Sequence, residues 1–218
     1  MGPCKGGRSM NTPWMDMTVR DFQAALASSS PTPGGGTAAA IALGQASALT
    51  IMVCDLTMGK EKWQDGWSIA ETALQSSVRI MTRAGELADE DSDAFDGVMA
   101  SFKLPKDSDE EKQARRNAIR NATLGATEVP HETAKLALEL LRHLPELAAK
   151  GNANAVSDVG VAGLLASAAC KGALFNVDIN IGSLPDDMAV EIRTSAPEIL
   201  EESRILSRKI MDLVKERI

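Results

Sequence analysis

The sequence predicts an all-α protein: an antiparallel bundle of five to six long helices, two of them buried and built from small residues. Three observations carry this. Apolar residues recur at three- and four-residue steps through most of the chain, as in Trp67, Ala70, Leu74, Val78 and Met81. Two stretches, Thr37 to about Thr57 and Gly160 to Val177, are small or apolar on every face, and a helix of that kind is buried on every face. No segment reads convincingly as a strand.

The elements follow in order. Thr18-Val-Arg-Asp21 is an N-cap and first turn, with Phe22, Ala25 and Leu26 on one face, and Ser28-Ser29-Ser30 closes this short helix. The central small-residue helix runs from Thr37 to Met58. Gly59 ends it, and Lys60 and Lys62 sit favourably near its negative end. Trp63 to Ser101 is helical again and includes the acidic run from Asp89 to Asp96. Most of that run reads as a solvated face, whereas Asp93, in step with Glu86, Ala100 and Leu104, is placed near an inward seam. Gly97 and Leu104-Pro105 are expected to break the helix.

Ser108-Asp-Glu-Glu111 is a capping box opening the next helix, which Pro130 is expected to kink or split. His131 to Ala149 continues it, with Ala134, Leu138, Leu141 and Leu144 along one side, and Gly151-Asn152 ends it. The second small-residue helix mirrors the composition of the first, so the two are expected to pack closely. Leu184 to Ile218 is amphipathic through Ile192, Ile199, Leu206, Ile210 and Leu213, with Ser183 as N-cap and a kink at Pro197. Helices of roughly 25 to 35 residues are rods of about 40–50 Å. Rods that long on a chain of 218 residues predict a homodimer along the bundle.

The whole chain sets limits on function. A flexible tail is expected over residues 1–15 and a single domain over 16–218. The formal net charge is −7, without Tyr and with four Phe and three Trp, which argues against nucleic acid as a partner. Cys4, Cys54 and Cys170 lack metal-ligand spacing, and the last two lie in apolar helical runs as buried thiols. No metal site is expected. Met1 to Met17 lacks the apolar core of a signal peptide, so the expected compartment is the cytoplasm.

The segment with chemical potential is Pro31-Thr-Pro-Gly-Gly-Gly36, which feeds the central helix. Its stiff prolines and permissive glycines shape a turn with exposed backbone N–H groups at a helix start. That suits an anion or a polar ring edge, or serves as a plain cap. A phosphate-binding Walker loop is excluded, because no strand precedes the glycines and no Lys follows them. The uncharged stretch from Gly34 to Cys54 is long enough for a membrane span. Its Ala, Gly, Ser and Thr content makes insertion weak, and no membrane partner is expected.

Four blocks in register resemble one family. PTPGGGTAAA, MVCDLTMGK, DSDAFDGVMASFKLPK and GNANAVSDVGVAGLLASAACKGALFNVDINI match the cyclodeaminase/cyclohydrolase family, from about Asp16 to the end. Its members include the C-terminal domain of formiminotransferase-cyclodeaminase and stand-alone methenyltetrahydrofolate cyclohydrolases. The resemblance implies an all-α homodimer with its site in a cleft at or near the subunit interface. The implied substrate is a tetrahydrofolate derivative, with no tightly bound cofactor. The implied reaction closes 5-formiminotetrahydrofolate to 5,10-methenyltetrahydrofolate and releases ammonia; the alternative interconverts 5,10-methenyl- and 10-formyltetrahydrofolate with water. A folate-binding helical module without catalysis and a bare helical scaffold are the non-enzymatic readings.

Either reaction needs a group that accepts and then donates a proton. By its position in the acidic-Ala-Phe block, Asp93 is the expected carrier, with His131 in reserve. Gly34, Gly35, Gly36 and Thr37 would contact the ligand through backbone N–H. Asp158 either caps its helix or binds the aminopyrimidine edge of the pterin. Asn152 and Asn176 either hydrogen-bond the pterin or tie loops together. Lys60 and Lys106 would meet the glutamate tail or lie solvated. Asp55 departs from the family pattern by adding a negative charge to the expected site.

Overall fold

Local capping chemistry starts the helices where the residues for it stand. The Thr18 hydroxyl accepts the Asp21 N–H at 3.1 Å and opens α1, Val19–Leu26. The Ser108 hydroxyl accepts the Glu111 N–H at 3.1 Å while the Glu111 carboxylate accepts the Ser108 N–H at 3.0 Å. This reciprocal box opens α4, Asp109–Lys150. Gly59 adopts φ +73° just beyond α2, Gly35–Thr57, where an L side chain would be strained. The computed structural model describes residues 12–218. It adds α3 (Trp67–Ser101), α5 (Val156–Ile181) and α6 (Val190–Arg217), with short 3-10 turns at Trp14–Asp16, Glu61–Gly66 and Ala153–Ala155. Among the described residues there is no strand.

Helices α2, α3, α4 and α5 form a four-helix bundle in which each packs on its sequence or spatial neighbour, and α2 and α5 lie side by side. Helix α6 covers α4 and α5. The core runs along the inner faces through Leu43, Val53, Ile80, Leu87, Leu140, Leu144, Val159 and Val177, all fully buried. Small residues let the backbones approach: a Cβ added to Gly172 of α5 would lie 3.6 Å from Ala39 Cβ of α2. Both small-residue helices are central, yet neither is buried all round. Met52, Leu56, Val161, Leu164, Phe175 and Ile179 face outward, with Phe175 68% and Ile179 73% exposed. By length and composition α2 and α5 could each cross a bilayer, and 56% of each apolar window is buried within the fold.

Expectations about where helices are interrupted, begin and end are corrected. Pro130 and Pro145 both lie inside α4, which runs 42 residues without a break, about 63 Å at 1.5 Å per residue. Proline removes one N–H and so frees the carbonyl four residues earlier. For Pro130 that carbonyl belongs to Ala126, and it accepts the Asn180 side-chain N–H at 2.7 Å instead. The last helix starts at Val190, not Leu184, because Ser183 donates its hydroxyl to Asn180 O at 2.8 Å and so finishes α5. The loop between is gathered by Arg193, whose guanidinium donates to the carbonyls of Ile181, Leu184 and Met188. Gly97 lies inside α3, and residues 61–66 form a 3-10 turn before that helix begins at Trp67. The tail expected to end at residue 15 stops short of Trp14, which is 3% exposed. Its first eleven residues, with Cys4, lie outside the described region.

Cys54 and Cys170 are buried and free, as expected. Burial pushes their thiols up to about 12 and about 11, with Asp55 adding to the effect at Cys54.

Candidate active site

The start of α2 is built around a carboxyl group. Gly34 is the N-cap and offers no side chain to the first turn. Asp91 of α3 fills that place. Its carboxylate lies so near Gly36 that an added Cβ would stand 2.1 Å from Oδ1. Only glycine permits this approach. The Thr37 hydroxyl donates to Asp91 Oδ2 at 3.0 Å. Burial raises the Asp91 pKa above the ordinary carboxylate value, opposed by hydrogen bonds from the Thr37 hydroxyl and backbone N–H. The result is a carboxyl group at a helix N-terminus whose proton is held more tightly than usual.

Helix register fixes what lies level with it. Along the antiparallel α3/α4 pair, Arg79 meets Glu139, Arg83 meets Glu132 and Phe102 meets Arg115. This sets Asp91 level with Gly125, where an added Cβ would meet nothing within 4 Å. Along α2/α5, Asn152 meets Leu56 and Gly172 meets Ala39. This sets Asn176 level with Gly34 to Gly36. The Asn176 amide donates to Gly172 O at 3.0 Å, and its oxygen has no partner among the described residues.

Beyond this level, where α4 begins and α5 ends, a groove of about 460 Å³ is lined by Lys106, Lys112, Arg115, Arg116, Ile119, Arg120 and Ser183. No carboxylate lines it. Lys112 pairs with Asp109 at 2.9 Å, and Arg115 donates to the Phe102 carbonyl at 3.0 Å. Among the described residues Lys106, Arg116 and Arg120 carry no ion pair. Arg120 lies five residues from Gly125, about 8 Å along α4. Five cations on one wall of a chain with net charge −7 make a local attractor for anions.

The residues expected from the sequence separate into two groups. Gly34, Gly35, Gly36, Thr37, Asn176 and Lys106 share this end of the bundle. Lys60, Asn152 and Asp158 do not: α2 has 23 residues, about 34 Å, and they stand at its far end. Asn152 is 5% exposed and ties loops together, donating its amide to Leu56 O at 2.8 Å and its backbone N–H to Thr57 Oγ1 at 3.0 Å. Asp158 stands in the first turn of α5, where its charge suits the helix dipole. Asp55 is exposed at the same far end, so its charge is remote from the glycine turn.

Asp93 is corrected as well. It is exposed, because the seven-residue step through Glu86, Asp93 and Ala100 follows the solvent stripe of α3. The inward stripe is Ala84, Leu87, Ala88, then Asp91 and Ser92. That stripe is visible in the sequence, since Asp91 and Ser92 fall four residues after Leu87 and Ala88. His131 is held elsewhere, its Nε2 2.9 Å from Ser195 Oγ of α6. Arg116 and Arg120, one turn apart on α4, and Trp14 carried no sequence signal of a role. Among the described residues no group of three or more His, Cys, Asp or Glu could hold a metal ion.

A helical domain that sets a carboxyl with a raised pKa against a glycine helix start, beside a cationic groove, defines a class of protein suited to proton transfer on an anionic small molecule. The chain belongs to the formiminotransferase-cyclodeaminase family, whose model matches residues 18–198. It is 40% identical to a methenyltetrahydrofolate cyclohydrolase of Methylorubrum extorquens over 203 residues, covering 92% of this chain and 97% of that protein. It is 32% identical to the formimidoyltransferase-cyclodeaminase of Gallus gallus over 90% of this chain, and spans 36% of that longer protein. A formiminotetrahydrofolate cyclodeaminase of Thermotoga maritima, solved by crystallography, has the same fold. Its TM-score is 0.77 at 27% identity, with 93% of this chain and 96% of that one covered.

Proposed function

We propose that the chain is a folate one-carbon enzyme that closes 5-formiminotetrahydrofolate to 5,10-methenyltetrahydrofolate with release of ammonia. The observation that carries the reading is Asp91 against Gly36 and Thr37. N10 attacks the carbon of the protonated formimino group, forming the N10–C bond as the C=N double bond becomes a single bond to an amino group. Asp91 takes the N10 proton and returns a proton to the amino group, which leaves as ammonia as the C–N bond breaks. Raising the pKa of a carboxyl makes it a better proton acceptor and leaves more of it protonated to donate. In its ionised form it also faces the positive charge that develops on the methenyl carbon. Gly34 to Gly36 and Asn176 bind the pterin, and the groove from Lys106 to Arg120 receives the glutamate tail. The reaction needs no tightly bound cofactor in this scheme, and the cytoplasm is the proposed compartment.

A second reading is supported by length: the stand-alone cyclohydrolase is matched over nearly its whole extent. In that reaction Asp91 takes a proton from water as the water adds to the methenyl carbon; the N5–C bond then breaks as N5 gains a proton and the new hydroxyl loses one to become the formyl carbonyl, so that 10-formyltetrahydrofolate forms with release of one proton overall. Incubation with each substrate, followed at the methenyl absorbance, separates the two. A rise with the formimino substrate supports the first reading and a fall with the methenyl substrate the second. No change with either, by a folded protein, sinks both and leaves a folate-binding module.

A homodimer is part of the proposal. Supporting it are the outward apolar residues of α2 and α5, which no element of the chain covers among the described residues. Sedimentation should give twice the chain mass. Phe175→Glu with Ile179→Glu should give the monomer, and a wild-type monomer at micromolar concentration would rule the dimer out.

A further inference from the structure

Trp14 is joined to Asp91 by an unbroken line of hydrogen bonds. The indole Nε1 lies 3.0 Å from Ser92 Oγ, Ser92 Oγ lies 3.0 Å from Thr37 Oγ1, and Thr37 Oγ1 donates to Asp91 Oδ2 at 3.0 Å. With Asp91 ionised, the two ends favour one polarity. An indole N–H donates and never accepts, whereas an ionised carboxylate accepts and never donates. Each hydroxyl between them has one proton. Thr37 directs its proton to Asp91, so Ser92 must donate to Thr37 and is left to accept from Trp14. The line is buried at Trp14, Thr37 and Ser92, where an unmatched donor or acceptor is costly. Trp14 is itself pinned, its backbone N–H donating to Asp89 Oδ1 at 3.0 Å.

We infer that Trp14 is a positioning residue: through Ser92 and Thr37 it fixes the direction of the hydrogen bond that Asp91 Oδ2 receives, and so keeps the transferable proton on Oδ1. This rests on the reading of Asp91 as the proton carrier. In the reverse polarity Oδ2 would donate to Thr37 and Thr37 to Ser92; the Ser92 oxygen could accept from Thr37 and the indole together, but its own buried proton would have no acceptor among the described residues. The indole N–H at the head of the line polarises it toward Asp91. Oδ1, the oxygen turned toward Gly36, is then the atom that gains and loses the proton.

Charged neighbours do not supply this effect. On α3 Asp89 is bonded to the Trp14 N–H, and Glu90 is paired with Arg83 at 2.5 Å. On α4 Glu132 is held by the same arginine at 2.8 Å, and Glu128 is exposed. The register sets Lys171 and Asp178 of α5 about a turn either side of Asp91, and α2 has no charge before Asp55. The raised Asp91 pKa comes from burial, opposed only by Thr37.

The test is Trp14→Phe, which keeps the ring and removes the N–H, measured beside Ser92→Ala, which cuts the line without touching Trp14 packing. Both should raise the apparent pKa of the Asp91 carboxyl by about half a unit to one unit, the scale of one hydrogen bond. The shift should be visible in the pH–rate profile and in a carbon-13 NMR titration of the labelled carboxyl. Ser92→Thr, which retains the hydroxyl, should restore the wild-type profile. If Trp14→Phe does not fold, Ser92→Ala and Ser92→Thr decide the matter. A uniform loss of rate at all pH with an unmoved titration, while Asp91→Asn is inactive, would overturn the inference alone. Full activity of Asp91→Asn would remove the proton-carrier reading and the role of Trp14 with it.

Discussion

Asn180 donates its side-chain amide to the carbonyl of Ala126 at 2.7 Å, and Ala126 stands four residues before Pro130. The end of α5 thereby satisfies the one acceptor that the proline strips of its donor. A 42-residue helix can then pass through the site without a break, and its far end carries the cationic groove. Asn180→Ala should destabilise the fold by about 1–3 kcal/mol, the cost of leaving a part-buried acceptor unmatched. Urea unfolding measures it. Replacing Pro130 with Ala in the same chain should recover part of the loss, since the helix then supplies its own N–H. Equal losses with and without Pro130 would show that the amide acts in some other way.

Asp91→Asn should lower kcat by about 10²–10⁴-fold, the range for a positioned proton carrier. Asp93→Asn should stay within a few-fold of wild type, because Asp93 is exposed on the solvent stripe. Steady-state assays with both folate substrates compare them, and a larger loss at Asp93 would reverse the assignment made from burial.

Gly36→Ala should reduce activity nearly as far as Asp91→Asn while Asp91 itself is intact, because the new methyl group would stand 2.1 Å from Oδ1. Its melting temperature should also fall, since Asp91 must move off Thr37 or the two helices must part. A variant with normal rate and stability would mean that the carboxylate does not approach Gly36 so closely in solution.

Arg116→Gln with Arg120→Gln should raise KM far more than it lowers kcat, if, as proposed, the groove holds the tail of the substrate and not its reacting carbon. The KM of the wild type should climb with salt, and that of the variant should climb less. Equal salt dependence in the two proteins would place the tail elsewhere.

His131 gives a pH prediction for stability. Ser195 donates its own proton to Glu191 O at 2.8 Å, so the His131 Nε2–H donates to Ser195, a hydrogen bond open to the neutral and the charged ring alike. Burial, helped by Lys135, holds its pKa below 6.5. Below 6.5 the unfolded chain therefore binds the proton more readily than the folded one. The contribution of the neutral ring is full above 6.5 and is lost as pH falls through the lower folded value. Melting temperatures of wild type and His131→Gln should converge over that window, and a constant difference would contradict the linkage.

Much of the fold was legible because its signals are local. Thr18, Ser108 and Gly59 act within a turn of themselves, and the small-residue composition of α2 and α5 announces close packing without reference to partners. What went astray involved groups satisfied from a distance. Pro130 looks like a break until Asn180, fifty residues later, answers it. Ser183 looks like an N-cap until its hydroxyl is seen closing the helix before it. In the site, Gly36 and Thr37 could be singled out as a helix start, whereas choosing among Asp89, Asp91 and Asp93 required knowing which stripe of α3 turns inward.

The sequence by itself determined the helices, the closeness of the central pair and the glycine turn that opens α2, since each depends on residues a few positions apart. Only the tertiary structure decided that Asp91, not Asp93, meets that turn, that Lys60, Asn152 and Asp158 stand a helix length away, and that Trp14 reaches the carboxylate through two hydroxyls. The reason is geometric: a helix sets side chains a hundred degrees apart, so a two-residue choice along the chain is a choice between opposite faces, and only the neighbouring helices say which face is inside.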